Sequence, residues 1–254
     1  MCGRYALTAQ RREVEEFFSG INLDEFPARY NIAPTQPILV VLASEVLEKG
    51  RNVSQRQAIL ARWGFLPGWV KEPKEFPLLI NARAETAIGK ASFRAAMRHR
   101  RVLIPASGFY EWHRPAKETK AKGQAYWLRP RRGGIVAFAG LLETWSSADG
   151  SEVDTAAILT TKANQSISAI HERMPVVIKQ EDFDRWLDCK TQEPRYIADL
   201  MEPVEEDFFE AIPVSDKVNK VANMGPDLQE PETVEQAAST ASRLTGDKRQ
   251  LSLF

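Results

Sequence analysis

The sequence predicts an α+β fold, a single domain built on a strongly curved, mostly antiparallel, barrel-like sheet with flanking helices. Two observations favour this class. Many short apolar runs of strand length are separated by turn residues, including Gly133-Gly134 and the hairpin signal Asp149-Gly150. The few helical segments do not alternate regularly with the strands, as they would around a doubly wound parallel sheet.

The amino-terminal half opens with a predicted helix. Within residues 9–19 three apolar side chains share one face, and Thr8 precedes them as the N-cap. The continuous apolar run at 38–43 indicates a buried strand. A second strand is predicted at 59–65, where turn formers end it.

The middle of the chain contains a basic run. A helix predicted at 91–98 leads into Arg98-His99-Arg100-Arg101, which we interpret as a solvated basic face. Two short apolar strands follow at 102–105 and 108–112. Residues 114–123 are polar and are expected to form a solvated loop.

The carboxy-terminal half continues with short elements. Predicted strands lie at 125–129, 135–143, 153–160, 176–178 and about 208–213. Predicted helices lie at 164–170, 181–188 and 193–200. Polar residues and prolines then dominate, so we expect a folded domain of residues 1–225 and a disordered linker of residues 226–249, followed by the distinct terminal peptide 250–254.

The composition is that of an ordinary globular protein, with 254 residues of which 43% are hydrophobic and 27% are charged. No apolar run approaches the ~18 residues that a membrane-spanning helix needs. The amino terminus lacks the basic and apolar regions of a signal peptide. We therefore expect a cytoplasmic protein without membrane contact. The two cysteines, Cys2 and Cys189, do not form a disulfide framework.

Charge is distributed unevenly along the chain, although the formal net charge is zero. Residues 1–135 hold 23 Lys and Arg against 12 Asp and Glu, a net charge of +11. Residues 136–254 hold 11 against 22, a net charge of −11. Such asymmetry is typical of a face that binds a polyanion, but it also arises when an acidic half folds back on a basic one. The charge distribution alone does not decide between these two interpretations.

Cys2 is the most unusual chemical feature of the sequence. A small second residue permits removal of Met1, and the chain would then begin with a free amine and a thiol on one residue. Their ordinary pKa values, about 7.7–8.0 and about 8.5, leave both partly deprotonated at neutral pH. Such an aminothiol condenses with an aldehyde to a Schiff base, which the thiol closes to a thiazolidine. The alternative is an incidental small residue in a frayed terminus.

Four internal residues are further candidates. Glu111 lies in an aromatic strand and either faces solvent or is held in a pocket, where it would suit acid–base chemistry. His171 follows a predicted helix and is either a structural histidine or a catalyst. Asn81 and Arg83 point the same way if extended, which suits a clamp on phosphate and sugar, but they could equally mark a strand end.

Other common sites are not indicated by the sequence. The Cys and His spacings do not build a zinc site, so we expect no metal. Neither a glycine-rich phosphate loop nor a nucleophile elbow occurs, and no cofactor is implied. Cys189 closes a predicted helix and is interpreted as a packing residue.

Eight ordered blocks resemble the SRAP family (SOS response-associated peptidase), from Met1 to about residue 225. The blocks are Met1-Cys2-Gly3-Arg4-Tyr5, Tyr30-Asn31-Ile32-Ala33-Pro34, Arg62-Trp63-Gly64-Phe65-Leu66-Pro67, Asn81-Ala82-Arg83-Ala84-Glu85-Thr86, Arg101-Val102-Leu103-Ile104-Pro105, Gly108-Phe109-Tyr110-Glu111-Trp112, Phe138-Ala139-Gly140-Leu141 and His171-Glu172-Arg173-Met174-Pro175.

The resemblance implies a function in the DNA damage response. Members of this family recognise abasic sites in single-stranded DNA and trap them through the amino-terminal Cys as a thiazolidine crosslink. By this resemblance Cys2 is the nucleophile, Asn81 positions it and the opened sugar, Glu111 assists Schiff-base formation, and His171 helps to open the sugar ring and to reverse the crosslink. The phosphate contacts are assigned to Arg4, Arg83 and Arg173, and a stacking contact with a base to Trp69.

Two other functions stay open at this point. Met-Cys-Gly also begins the glutaminase domains of amino-terminal-nucleophile amidotransferases, although the later blocks do not fit that class. A non-catalytic single-strand-binding module would explain the basic half alone. We expect the protein to be a monomer in either case.

The carboxyl terminus suggests a partner. Gln250-Leu251-Ser252-Leu253-Phe254 resembles the pentapeptide by which bacterial proteins dock on the replicative sliding clamp. The side chains of Gln250, Leu251, Leu253 and Phe254 would enter pockets on the clamp from a flexible tail. This resemblance implies a bacterial protein that works at replication forks.

Overall fold

The computed structural model describes residues 2–47, 54–113 and 123–232. The strands in these ranges are β1 (Tyr5–Leu7), β2 (Arg29–Ile32), β3 (Pro37–Leu47), β4 (Ser54–Trp63), β5 (Asn81–Arg83), β6 (Arg101–Ala106), β7 (Gly108–His113), β8 (Gln124–Pro130), β9 (Val136–Ser146), β10 (Glu152–Lys162), β11 (Arg173–Pro175), β12 (Val177–Ile178) and β13 (Phe209–Val214). The α-helices are α1 (Arg11–Phe17), α2 (Ala84–Ala87), α3 (Arg94–His99), α4 (Gln165–Ser168) and α5 (Phe183–Leu187).

Five of these strands close into a barrel. Antiparallel pairings join β4 to β3, β3 to β6, β6 to β9 and β9 to β10. A short parallel pairing of β10 with β4 completes the ring. All six residues of β6 are buried, and helices α3 and α5 contact this strand. The predicted α+β class with a mostly antiparallel, barrel-like sheet is confirmed.

A second sheet packs against the barrel. Its strand order is β13-β8-β7-β1-β2, with antiparallel neighbours. Aromatic side chains join the two sheets: the rings of Tyr5 and Phe109 lie 6.2 and 6.1 Å from the ring of Phe138 on β9. Tyr5 also contacts Trp63 of β4, with the ring centroids 5.3 Å apart. The main core therefore fills both the barrel and the space between the sheets.

The outer face of the second sheet has its own small cluster. The rings of Tyr110 and Trp127 pack at a tilt on this face with their centroids 4.7 Å apart, and Val218 and Leu228 from the end of the described chain pack with them. Leu228 is buried within the 3₁₀ turn Pro226–Gln229. The folded part therefore extends beyond residue 225, where the polar linker was predicted to begin. Residues 233–249 of that linker lie outside the described ranges.

Two helix boundaries differ from their predictions. The first helix begins at Arg11, and the backbone N–H of its N-cap Gln10 donates to Glu13 at 2.6 Å. The predicted N-cap Thr8 was wrong because its hydroxyl and backbone N–H bind the hydroxyl of Ser107. The predicted helix at 193–200 is instead a kinked 3₁₀ segment, Pro194–Met201.

The two predicted glycine turns have different roles. Asp149-Gly150 lies in the hairpin between β9 and β10, and Gly150 adopts φ 86° there. Gly133-Gly134 instead connects β8 of the second sheet to β9 of the barrel. The described helices include none that combines the length and the apolar character needed to cross a bilayer.

Arg101 departs from the predicted solvated basic face. Its side chain is 2% exposed, and its guanidinium donates only to backbone carbonyls. These acceptors are the carbonyls of Met97, Trp186, Asp188 and Gln192, at 2.7 to 3.0 Å. Arg101 therefore joins the ends of α3 and α5 to β6. The prediction failed because it treated four adjacent basic residues as one surface.

Candidate active site

Cys2 lies at the junction of the two sheets. Its side chain is fully buried, and it belongs to the main core. Strand β1 pairs with β7 through Tyr5 and Phe109, and the backbone N–H of Tyr110 donates to the carbonyl of Arg4 at 2.9 Å. Continuing this antiparallel register places Gly3 opposite Glu111. The amino terminus therefore runs past the carboxylate on β7.

Glu111 is buried rather than solvent-facing, which decides between the two placements that the sequence left open. Its side chain is 3% exposed. Strand β7 is buried on both faces: Phe109 belongs to the main core, whereas Tyr110 packs in the outer cluster. Because side chains alternate along a strand, Glu111 shares the face of Phe109, towards the barrel.

His171 completes a cluster with Glu111. Its Nδ1 lies 4.0 Å from Oε1 of Glu111. The backbone N–H of Arg173 donates to the same nitrogen at 3.0 Å. The carbonyl of Arg173 also lies 3.2 Å from this nitrogen, so the main chain of Arg173 holds the ring in either neutral tautomer. The side chain is 25% exposed, so His171 connects the buried carboxylate with solvent.

The environment of Cys2 controls its thiol. Burial raises the pKa of the Cys2 thiol, and the negative charge of Glu111 raises this pKa further. A hydrogen bond from the backbone of Arg4 lowers the pKa, but it is the smaller effect. The thiol is therefore protonated at neutral pH, and its attack on an electrophile requires a proton acceptor. Glu111 is the carboxylate whose charge acts on this sulfur.

Asn81 presents an unsatisfied amide oxygen. Strand β5 pairs with β10 so that Asn81 lies opposite Ile158, and its Nδ2 donates to the carbonyl of Ile158 at 3.4 Å. Its Oδ1 is buried and has no hydrogen-bond partner. Ala82 is buried, so Asn81 and Arg83 share the opposite side of the strand, as their spacing predicted. An unsatisfied buried acceptor is costly unless a ligand completes it.

The four predicted DNA contacts divide into two pairs. Arg4 is engaged by the protein, because its Nη1 donates to Asn31 and to the carbonyl of Val218, both at 2.7 Å. Arg173 is 8% exposed and is held in an ion pair with a carboxylate. Arg83 is exposed, and Trp69 is 61% exposed. Arg83 and Trp69 are therefore the exposed members of the set, whereas Arg4 is half-buried and Arg173 is buried.

The loop that carries Trp69 is fixed by side chains that the sequence did not reveal. The backbone N–H of Leu66 donates to the hydroxyl of Thr155 at 3.0 Å. Nε1 of Trp145 donates to the carbonyl of Val70 at 2.6 Å. In both hydrogen bonds the donor lies far from its acceptor in the sequence. The hairpin of β9 and β10 supplies Trp145 and Thr155 and brings them against the loop. An exposed aromatic ring is thus held on a well-anchored loop.

Glu85, the carboxylate that holds Arg173, was not among the predicted site residues. It lies in the block that contains Asn81, which was the one available signal. The predicted residues Gln250, Leu251, Leu253 and Phe254 lie outside the described ranges. In the part of the chain that the structure describes, His, Cys, Asp and Glu side chains do not form a group of three suited to a metal ion.

Comparisons with known proteins place the chain among relatives of one kind. The chain is 36% identical over 236 residues to "Abasic site processing protein YoqW" of Bacillus subtilis, covering 91% of this chain and 99% of the relative. It is 28% identical over 245 residues to "Abasic site processing protein HMCES" of Gallus gallus, covering 85% of this chain and 71% of the relative.

Structural comparison agrees on the fold. A crystal structure of a protein from Bacteroides thetaiotaomicron matches with a TM-score of 0.79 and 22% identity, over 91% of this chain and all of that one. The family model of the SOS response associated peptidase (SRAP) matches residues 1–221, which include every element from β1 to β13. The chain therefore belongs to the SRAP family.

Proposed function

We propose that this protein binds single-stranded DNA and covalently traps abasic sites through a thiazolidine formed by Cys2. The observation that carries the proposal is the position of Cys2 in a cluster with Glu111 and His171. The names of its relatives, which describe abasic site processing, support the same substrate. Abasic sites are themselves aldehydes in their ring-opened form, which is the electrophile an aminothiol captures.

The proposed reaction has two steps and needs no cofactor. The free amine of Cys2 attacks the aldehyde carbon C1′ of the opened sugar, and loss of one water gives a Schiff base. The Cys2 sulfur then adds to the same carbon, and its proton passes to the nitrogen. The product is a five-membered thiazolidine, and the phosphodiester bonds of the strand stay intact.

Each neighbouring side chain has a distinct task in this scheme. Glu111 accepts and returns protons during Schiff-base formation and accepts the thiol proton at ring closure. His171 links this carboxylate to solvent and assists opening of the sugar ring and reversal of the crosslink. The unsatisfied Oδ1 of Asn81 accepts a hydrogen bond from the opened sugar or from the amine.

DNA binding in this scheme depends on charge and on stacking rather than on sequence. Arg83 contacts a flanking phosphate, and the exposed ring of Trp69 stacks on a base, which contributes roughly 1–3 kcal/mol. A lesion in a single strand requires no extrusion from a duplex. Phosphate contacts make the affinity decrease as the salt concentration increases. Arg4 and Arg173, which protein acceptors hold, contribute to the shape of the site and to its potential.

Removal of Met1 has to precede the reaction, because its acyl group occupies the nitrogen that forms the Schiff base. Self-processing by this site is one source of that removal and corresponds to the peptidase activity in the family's name. Cleavage by an ordinary aminopeptidase is the simpler explanation for the removal of Met1. The active protein then begins at Cys2 and acts in the cytoplasm during the response to DNA damage.

A denaturing gel tests the proposal. The protein is incubated with single-stranded DNA that carries one abasic site, and we expect a shifted covalent band that Cys2→Ala loses. Binding without an adduct would leave the non-catalytic single-strand-binding module as the function. Glutamine hydrolysis without an adduct would favour the amidotransferase. The same oligonucleotide without the abasic site is the control substrate.

We further propose that the terminal peptide 250–254 docks on a bacterial sliding clamp and that the protein acts as a monomer. We expect that deleting 250–254 abolishes binding to the purified clamp and leaves adduct formation unchanged. Deletion of the linker residues 236–240 is the matched control and should preserve both activities. A clamp affinity that survives loss of 250–254 would contradict this assignment.

A further inference from the structure

Arg173, whose own side chain is buried, connects three segments of the active site. Its Nη1 and Nη2 donate to the two carboxylate oxygens of Glu85, at 2.6 and 2.9 Å. Nη2 also donates to the carbonyl of Thr160 on β10 at 2.5 Å. One guanidinium therefore holds α2, β10 and the first residue of β11 together. Bidentate contacts of this kind fix orientation as well as distance.

The connection reaches two of the proposed catalytic residues. Arg173 itself fixes the ring of His171, because its backbone N–H donates to Nδ1. Glu85 lies in α2, which directly follows the strand that carries Asn81. The ion pair thus joins the segment that presents Asn81 to the segment that presents His171. Neither Glu85 nor Arg173 has to touch the DNA to have this effect.

We propose that Glu85 is a positioning residue, which acts through Arg173 to set the imidazole of His171 against Glu111. This inference rests on the proposed function for its kinetic consequence, but the orientation of the ring is independent of that function. Arg173 is 8% exposed, and Glu85 and Thr160 occupy both of its Nη nitrogens. These two nitrogens of its guanidinium are therefore held by the protein, whereas the buried Nε has no hydrogen-bond partner.

The ion pair between Glu85 and Arg173 keeps both of its charges across the neutral pH range. The hydrogen bonds from Arg173 hold the pKa of Glu85 below its ordinary value, and the positive charge of Lys162 acts in the same direction. Glu85 is consequently ionised at every pH where a histidine titrates. A change in the pH profile of a Glu85 variant therefore does not come from titration of Glu85 itself.

Removing the charge of Glu85 is expected to slow adduct formation without weakening DNA binding. Main-chain pairing of β11 with β10 still holds residues 173–175, so the ring is loosened rather than released. We expect Glu85→Gln to slow the reaction at saturating DNA about 10-fold, less than the ~100-fold that a misplacement of roughly 1 Å costs. Glu85→Ala should have the larger effect.

Two measurements separate positioning from a general loss of structure. The first is the rate of adduct formation at saturating abasic-site DNA, measured as a function of pH. DNA affinity is measured alongside it. The second is the ¹⁵N NMR signature of the His171 ring in the DNA-free protein. We expect one neutral tautomer to dominate in the native protein and the Glu85 variants to show an increased share of the other.

Asp199→Asn provides the matched control. Asp199 forms an equally bidentate ion pair with Arg185, at 2.6 and 2.7 Å, on the surface formed by α5 and the 3₁₀ segment after it. This variant should leave the rate, the pH profile and the His171 signals unchanged. If the native protein forms no Cys2-dependent adduct, the proposed function fails, and the NMR comparison still tests the role of Glu85.

Two results would overturn the inference. One is a native rate, pH profile and tautomer in both Glu85→Gln and Glu85→Ala. The other is a loss of DNA affinity with an unchanged rate at saturation, which would assign the ion pair to DNA binding. Because the carboxylate is 41% exposed, we expect Glu85→Gln to fold, and its thermal unfolding verifies this.

Discussion

A chain that keeps any residue ahead of Cys2 is expected to form no stable adduct with abasic-site DNA. Inserting one leucine between Met1 and Cys2 retains the initiator and converts the reactive amine into an amide. The thiol is still present, but it can form only a reversible adduct with an aldehyde. The measurement is the fraction of DNA that stays protein-bound on a denaturing gel.

The matched control for this insertion is a chain whose extra amino-terminal residues can be removed. A cleavable leader is placed before Cys2, and its removal should restore the adduct to the native level. DNA affinity before and after cleavage should agree, because the predicted contacts Arg83 and Trp69 are exposed and lie on other segments of the chain. Adduct formation at the native rate by the uncleaved chain would exclude the amine as the nucleophile.

Glu111→Gln is expected to slow adduct formation about 100-fold or more, the loss typical when a general acid–base group is removed. The same change should lower the pKa of the Cys2 thiol, because the negative charge of Glu111 raises it in the native protein. The variant would then reach half-ionisation of the thiol at a lower pH than the native chain. Ultraviolet absorbance of the thiolate measures this shift.

The two effects of Glu111→Gln, loss of the acid–base group and a lower thiol pKa, would change the rate of adduct formation in opposite directions. A thiol that ionises more easily should close the ring faster if ionisation alone limited the rate. We expect a slower reaction because the proton transfers of Schiff-base formation are lost. Glu210→Gln on β13 is the control carboxylate in the same sheet and should change neither quantity. A rate equal to that of the native chain would exclude Glu111 from catalysis.

Much of the fold was predictable because strand signals are local. The runs around Leu103, Phe138 and Ile158 are apolar enough to indicate strands, and Asp149-Gly150 indicated a hairpin that the structure contains. Closure of the barrel was only implied by the short strands. It depends on the parallel pairing of β10 with β4, in which Thr155 lies opposite Arg62. Residues this far apart carry no local sign of their pairing.

The candidate site was predictable in its members more than in its geometry. Glu111 has aromatic neighbours on both sides, so alternation alone could not tell which face of β7 is solvated. The answer depends on a second cluster, formed with Val218 and Leu228, that covers the outer face. The phosphate contact of Arg173 was predicted from the family resemblance and stays a prediction, but its ion pair with Glu85, 88 residues away in the chain, was not predicted. Long-range partners of charged residues are invisible to a motif.

The mass of the covalent product tests the central claim most directly. Intact-mass measurement of the product, followed by peptide mapping, identifies both the nucleophile and the bond. We expect the mass of the chain beginning at Cys2 plus the intact DNA strand minus one water, with the sugar mapped to Cys2 and no need for a reducing agent. An adduct mapped to a lysine, or one trapped only by borohydride, would contradict the thiazolidine at Cys2.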